Sequence, residues 1–332
     1  MLDSIRLDFD PTAAPFGLTV RLETLALGGV ILVVLLLAAL RAGRLEQPAA
    51  PVGAKLGGPA GRLRRDDLIL IGFGILPGAF VGGRLGYGLI HLDYYQAHPA
   101  ALADPGQGGL ALTLAVVFGT VSGLAVARLL AAPIDRWLGV AGLPVLFGLG
   151  LGKLATVLGG AGQGSYSDAS WATSYAGPGP WESSNPGYPA LPSQALEGAL
   201  VLLAAGIVAL LTLLLRFRVR RRRRVVLPPL APRRDWSLLA GGRGFVAILA
   251  VWAAVRFAVA FTWRDARVLG PLGAEQLVLV AVMAILVLTL LAPGGSRLIR
   301  REWAARRAAR GARAASESSS AATSEMPAET PS

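Results

Sequence analysis

Positively charged residues lie within several apolar stretches of this sequence. Arg84 lies in VGGRLGYGLI, Lys153 in GLGLGKLATV and Arg256 in VWAAVRFAVA. A cation near the hydrocarbon of a membrane costs about 2.5 kcal/mol or more unless it meets water, a partner or a polar ligand. Arginine and lysine form charge-assisted hydrogen bonds with phosphate oxygens. The three residues therefore indicate a site for the phosphate of an anionic phospholipid.

Further polar residues occur at or near the same predicted depth: Glu23, Tyr87, Ser193, Gln194, Glu197, Arg264 and Asp265. The three acids can pair with some of the cations, and the remaining cations would then bind an anion. The alternative is that each cation pairs structurally or extends along its aliphatic stem to an interface.

The composition indicates an integral membrane protein. The 332 residues are 54% hydrophobic and 16% charged, with a formal charge of +12. Most of the cations are arginines in short connections between apolar runs, which predicts cytoplasmic loops rather than a nucleic-acid-binding protein. The absence of cysteine excludes disulfides and thiolate catalysis, and with only His91 and His98 we expect no metal site and no cofactor.

Seven apolar runs approach the length of a membrane span. They are Leu25 to Leu40, Leu68 to Leu89, Gly109 to Leu130, Gly139 to Leu158, Leu196 to Leu215, Gly244 to Phe261 and Gln276 to Leu291. The first, third and fifth connections carry the arginines, including the block from Arg216 to Arg224, and should be cytoplasmic. The N-terminus should lie outside and the C-terminus inside. Acidic residues before the first run disfavour a cleaved signal peptide.

We therefore predict an all-α polytopic membrane protein, a bundle of seven transmembrane helices. Residues 1–15 form an outward N-terminal arm, residues 16–292 the membrane domain, and residues 293–332 a basic, then disordered cytoplasmic tail. We find no long internal repeat, which disfavours many secondary transporters.

Several motifs together resemble the prolipoprotein diacylglyceryl transferase family over about residues 16 to 292. They are GGRLGYGLIHLDYYQAHP, GLGLGKLATVLGG, LPSQALEGAL, the arginine of the sixth run and GAEQL. The resemblance implies an enzyme of the bacterial cytoplasmic membrane. Such an enzyme moves diacylglycerol from phosphatidylglycerol to the lipobox cysteine of a lipoprotein precursor and releases glycerol phosphate.

The resemblance assigns roles to individual residues. Arg84 and Tyr87 match Gly-Arg-x-Gly-Tyr, Arg256 matches the arginine of the sixth span, and Glu197 ends the Pro-Ser-Gln-x-x-Glu motif. These four are the predicted catalytic residues. The predicted substrate-binding residues are Glu23, Lys153, Ser193, Gln194 and Arg264.

The sequence also departs from the family pattern. Thr113 occupies the position of the family's histidine, Lys153 that of an arginine, and Ala161 and Ala260 those of two glutamates. Threonine cannot act as a general base near neutral pH. Two hypotheses follow: a divergent transferase in which Glu23, Tyr87 or Glu197 handles the proton, or an inactive relative that binds lipid or lipoprotein. A small-molecule transporter sharing the bundle is a third.

Overall fold

A computed structural model describes residues 4–45, 63–104, 109–183, 185–223 and 241–292. Within these ranges the α-helices are α1 (Leu22–Leu45), α2 (Arg65–Ile90), α3 (Leu92–Ala97), α4 (Leu112–Leu129), α5 (Ile134–Ala155), α6 (Ser193–Arg223), α7 (Gly241–Val259) and α8 (Ala274–Leu291). All except the short α3 are long and apolar enough to cross a membrane. The prediction of a seven-helix membrane protein is confirmed.

Several helix boundaries differ from those of the apolar runs. Helix α4 begins at Leu112 because Gly109 has a positive φ of 65°, which a helix does not accommodate. Helix α5 begins at Ile134, before the predicted Gly139. Helix α6 continues to Arg223, through most of the basic block expected to be a connection. Hydropathy identifies only the apolar part of a helix. The backbone hydrogen bonds of the helix continue beyond that part into polar sequence.

Helices α2 and α4 approach closely along a row of glycines. Gly74, Gly78, Gly82 and Gly86 recur every fourth residue of α2 and face α4. A Cβ added at Gly82 would overlap the backbone oxygen of Leu114. Small residues at this spacing allow helices in a membrane to pack backbone to backbone.

Helix α5 is central to the rest of the bundle and packs against α1, α6 and α7. The apolar core between α5, α6, α7 and α8 contains Leu146, Val201, Ile248, Trp252 and Leu279, which are 4% exposed or less. This core fixes the relative rotation of four helices, and so determines which side chains face one another at their ends.

Short strands join the extramembrane segments. They are β1 (Ile5–Leu7), β2 (Thr12–Ala13), β3 (Val20–Arg21), β4 (Thr173–Tyr175), β5 (Arg267–Leu269) and β6 (Leu272–Gly273). Strand β1 pairs in parallel with β4, β2 with β3, and β5 with β6. The N-terminal arm thus lies against the loop between α5 and α6, two segments that the charge pattern assigned to the same side.

The predicted basic and disordered tail, residues 293–332, lies outside the described residues. So do residues 46–62 and 224–240, which hold parts of two predicted cytoplasmic connections.

Candidate functional site

A buried network of charges surrounds Arg256 in the last turn of α7. Arg256 is 3% exposed. Its Nη1 donates to Oε1 of Glu197 over 2.6 Å, and its Nη2 and Nε donate to Oε1 of Glu275 over 2.5 and 3.0 Å. The ring of Trp263 lies 4.5 Å from its Cζ. Every nitrogen of this guanidinium therefore binds a carboxylate, as a buried arginine requires.

Glu197 joins Arg256 to a second cation. Glu197 is fully buried in the second turn of α6, and its Oε2 lies 3.3 Å from Nζ of Lys153 near the end of α5. The Lys153 side chain is 17% exposed, the largest exposure among the charged members of this network. Lys153 is thus the cation best placed to meet a ligand.

Thr113 completes the network from α4. Its Oγ1 donates to Oε1 of Glu275 over 2.7 Å and accepts from Nε of Arg256 over 3.2 Å. We call Thr113, Lys153, Glu197, Arg256 and Glu275 the central cluster. Its members come from five helices, each within two turns of the helix end nearest the α5–α6 loop. The cluster therefore lies at one end of the bundle, near the extramembrane loops.

The central cluster is electrically balanced, since two cations meet two carboxylates. The surplus of cations that the sequence suggested is therefore not found there. The second negative charge comes from Glu275, which the sequence analysis did not predict as a site residue. The signal was present in GAEQL, where an acid opens an otherwise apolar helix.

Arg84 is not joined to the central cluster by the bonds we observe. Its guanidinium donates to the backbone oxygens of Ala101 at 2.8 Å, Leu102 at 3.2 Å, Asp104 at 2.8 Å and Gly109 at 3.2 Å. Arg84 is 6% exposed and fixes the loop between α3 and α4. Its predicted role in binding phosphate stays a prediction.

Tyr87 and Glu23 occupy different surroundings. The Tyr87 ring packs 4.1 Å from that of His91 and 6.3 Å from that of Tyr95. Glu23 lies in the first turn of α1, within electrostatic range of Lys153. Of these two predicted site residues, Glu23 is the one that the structure brings toward the central cluster.

Ser193 and Gln194 connect the start of α6 to the loops. Oγ of Ser193 lies 2.7 Å from Oγ1 of Thr262, and Nε2 of Gln194 donates to the Tyr175 hydroxyl over 3.0 Å. The Tyr175 hydroxyl in turn donates to the backbone oxygen of Val157 over 2.9 Å. Burial raises the pKa of Tyr175 to about 12, so this hydroxyl remains a donor. Both predicted residues have structural partners here.

Arg264 binds the α5–α6 loop. Its Nε donates to the backbone oxygen of Gly164, and its guanidinium lies 4.3 Å from the centre of the Tyr166 ring. Such stacking of a cation on an aromatic face is worth about 0.5–2 kcal/mol.

Among the residues that the structure describes, no group of three His, Cys, Asp or Glu side chains could hold a metal ion.

Comparison with known proteins identifies the family. The sequence model for prolipoprotein diacylglyceryl transferase matches residues 29–292. The chain belongs to this family. A phosphatidylglycerol–prolipoprotein diacylglyceryl transferase of Geobacter sulfurreducens is 33% identical over 141 residues, which are 42% of this chain and 51% of that protein. The chain thus matches about half the length of this curated relative.

The match to the transferase family contains the whole central cluster, whereas Glu23 precedes it. Two of the positions at which the sequence departs from the transferase pattern, Thr113 and Lys153, belong to the cluster. These substitutions are therefore integrated into a buried hydrogen-bond network.

Proposed function

We propose that this protein binds phosphatidylglycerol and transfers its diacylglyceryl group to the lipobox cysteine of a lipoprotein precursor. Family membership supports this reaction type. The observation that carries the proposal is the convergence of Lys153 and Arg256 on Glu197, at the loop end of the bundle, where a lipid phosphate would lie.

The reaction needs a balanced movement of charge. The thiol loses its proton, its sulfur attacks the glyceryl carbon that carries the phosphate ester, the carbon–oxygen bond breaks, and glycerol phosphate leaves. The phosphate gains one negative charge as the bond breaks. A glutamate that accepts the thiol proton changes the central cluster from neutral to singly positive, which stabilises the departing phosphate.

Within the central cluster the two carboxylates have different roles in this proposal. Glu197 is fully buried between Lys153 and Arg256 and holds both cations in place. The Glu275 side chain is 10% exposed and binds Arg256 and Thr113 through Oε1. When the phosphate attracts Arg256, Glu275 loses part of its ion pair and can take the proton.

The test is modification of a lipobox reporter in a bacterial strain depleted of its own transferase. Wild-type protein should add one diacylglyceryl group to the reporter, detected by mass. Arg256→Lys should reduce the product at least tenfold, because lysine cannot bind both glutamates with a planar fork. Arg6→Gln, which changes an exposed ion pair with Asp8, is the control and should leave the yield unchanged.

A second candidate is an inactive relative that binds lipid or lipoprotein without chemistry. It is favoured by the complete pairing of Arg256 with carboxylates and by Thr113, which lacks the basicity of an imidazole. A wild-type protein that binds phosphatidylglycerol vesicles but leaves the reporter unmodified in the depleted strain would establish this candidate and exclude the transferase.

We further place the protein in the bacterial cytoplasmic membrane with its N-terminus outside and its C-terminus in the cytoplasm. The distribution of arginines supports this orientation. Because the chain has no cysteine, single cysteines report topology cleanly. A membrane-impermeant maleimide should label Ser167→Cys in intact spheroplasts, and Leu129→Cys only after lysis. The reverse labelling pattern would contradict the orientation.

A further inference from the structure

Helix α5 contains a proline, Pro144, in its interior. Proline has no backbone N–H, so the carbonyl oxygen of Val140, one turn earlier, lacks its usual helical donor. Both residues are fully buried. A buried carbonyl oxygen without a donor destabilises the fold, so this turn of α5 needs a donor from outside the helix.

Arg41 of α1 supplies this donor. Its Nε donates to the backbone oxygen of Val140 over 3.1 Å, and its Nη2 donates to that of Gly139 over 3.4 Å. Hydrogen bonds from a charged donor are stronger than those between neutral groups. The arginine pattern accounts for a cation at this end of α1, but topology requires only the charge and not a bond to a particular carbonyl. The bond to Val140 is therefore a separate property of Arg41.

Helices α1 and α5 remain in contact beyond this bond. A Cβ added at Gly148 would overlap the side chain of Val34, and one added at Gly152 would touch Leu27 at 3.8 Å. These glycines leave the face of α5 without side chains, which allows α1 to approach closely. Contacts with such a face resist sliding along the helix axis only weakly, whereas a hydrogen bond requires a defined distance and angle. The Arg41 bonds therefore fix the axial register of α1 against α5.

The same register places Glu23 near Lys153 at the opposite end of the two helices. A Cβ added at Gly159, just beyond α5, would overlap the Glu23 carboxylate, and Glu23 lies within electrostatic range of Lys153. Arg41 and Glu23 are about 27 Å apart along α1, at 1.5 Å per residue. Sliding α1 by one turn would move Glu23 by about 5.4 Å and change its distance from Lys153.

We infer that Arg41 is a positioning residue for the proposed lipid site. By binding the carbonyl that Pro144 leaves without a donor, Arg41 holds α1 in register with α5. This register keeps Glu23 in place, so that Glu23 and Glu197 together orient the ammonium of Lys153 toward the lipid phosphate. The inference rests on the proposed function, because it assigns the binding of that phosphate to Lys153. A change at the end of the bundle opposite the central cluster should therefore weaken phosphatidylglycerol binding.

The register can be measured by cross-linking, because the chain has no cysteine. Leu27→Cys and Gly152→Cys, introduced together, should form a disulfide when the full-length protein is oxidised in membranes. Adding Arg41→Leu should lower the cross-linked fraction by about threefold or more. Adding Arg136→Leu, which removes an exposed cation from the same end of the bundle, should leave the fraction unchanged.

The effect on the lipid site is measured as phosphatidylglycerol binding to the full-length protein in detergent, by native mass spectrometry. Arg41→Leu should weaken binding about fivefold, and Arg136→Leu should not change it. Arg41→Lys keeps the charge and can donate to one carbonyl, so it should weaken binding only about twofold. Arg41→Lys also provides the measurement if Arg41→Leu does not fold.

Pro144→Ala separates positioning from stability. Alanine gives position 144 an N–H that donates to the Val140 oxygen, so the helix no longer needs Arg41 for that carbonyl. In the Pro144→Ala background, Arg41→Leu should lower the melting temperature less than it does in wild type, but it should weaken lipid binding by the same factor. A residue with a purely structural role would recover stability and lipid binding together.

Unchanged cross-linking in the Arg41 variants overturns the inference, and so does unchanged lipid binding despite reduced cross-linking. Recovery of lipid binding when Pro144→Ala is added to Arg41→Leu also overturns it. Wild-type protein that binds no phosphatidylglycerol contradicts the proposed function. Cross-linking does not depend on lipid, so it then still decides whether Arg41 fixes the register.

Discussion

The hydroxyl of Thr113 donates to Glu275 over 2.7 Å, although the two residues are 162 positions apart in the chain. The same hydroxyl accepts from Arg256 over 3.2 Å. A hydroxyl is both donor and acceptor, and Thr113 uses both functions inside the bundle. Thr113 therefore takes part in the hydrogen-bond network of the central cluster and does more than pack between helices α4 and α8.

Thr113→Val should destabilise the protein by about 1–2 kcal/mol, because a buried carboxylate loses a donor. Thr113→Ser should retain most of the stability. The control is Thr120→Val in the same helix, since the Thr120 hydroxyl donates to the backbone oxygen of Val116 in its own helix. Thermal unfolding in detergent measures the difference, and equal melting points for Thr113→Val and Thr120→Val would contradict the prediction.

Glu197→Gln should be among the most destabilising single substitutions, by about 3–5 kcal/mol, because Lys153 and Arg256 lose a shared carboxylate in a buried site. Adding Lys153→Met should recover part of this loss, since Arg256 retains Glu275. A double-mutant cycle from chemical unfolding of both single variants and the double variant checks the coupling. Strictly additive effects would show that the ion pair is energetically unimportant.

Arg84→Lys should loosen the loop between α3 and α4, because lysine cannot donate to four separate carbonyl oxygens with the geometry of a guanidinium. Hydrogen–deuterium exchange over residues 99–104 should rise at least tenfold. Residues 163–175 of the same sample serve as the internal control. Unchanged exchange, together with weaker phosphatidylglycerol binding, would favour a direct role of Arg84 in holding phosphate.

Gly82→Ala should cost about 1–3 kcal/mol, because the new Cβ overlaps the Leu114 carbonyl and the Phe118 side chain across the α2–α4 contact. Gly28→Ala in α1 is the matched control, since nothing lies within 4 Å of its added Cβ. This control should change stability by less than about 0.5 kcal/mol. A similar loss in both variants would contradict the prediction, because the control lacks the close α2–α4 contact and alanine is the better helix former.

Tyr175 provides a pH-dependent signal. Burial raises the pKa of Tyr175 to about 12, against about 10 for an exposed tyrosine. The folded state therefore binds the proton more tightly, and its stability contribution is complete below about pH 10 and is lost as pH rises toward 12. An absorbance titration of tyrosinate should show a late component in wild type that Tyr175→Phe removes. Tyr94→Phe should keep that component, and its loss there would assign the late proton elsewhere.

Much of this architecture is predictable from the sequence because membrane helices have a strong and simple signal. Hydropathy located the seven spans, and the arginine pattern assigned the N-terminal arm and the α5–α6 loop to the same side, where β1 and β4 pair. The pairing of Lys153 and Arg256 with Glu197 could also be expected from the sequence, since charged side chains in a bilayer require partners.

Other features depend on tertiary contacts that leave little local trace. Glu275 stands in the first turn of a helix, where an acid is common for reasons of the helix dipole alone, so its bond to Arg256 was not evident. Arg84 binds backbone carbonyl groups that are 17 to 25 residues away in the chain, a separation that no local sequence pattern predicts. The strands contain only two or three residues, too few for an alternating pattern.

The pairing of β1 with β4 has a consequence for biosynthesis. Ile5 lies opposite Thr173, so the partner of the first strand does not exist until more than half of the chain has left the ribosome. The arm must remain unpaired while four long helices insert. This end of the domain is therefore completed late, and a nascent chain stalled before Thr173 should expose its arm to protease.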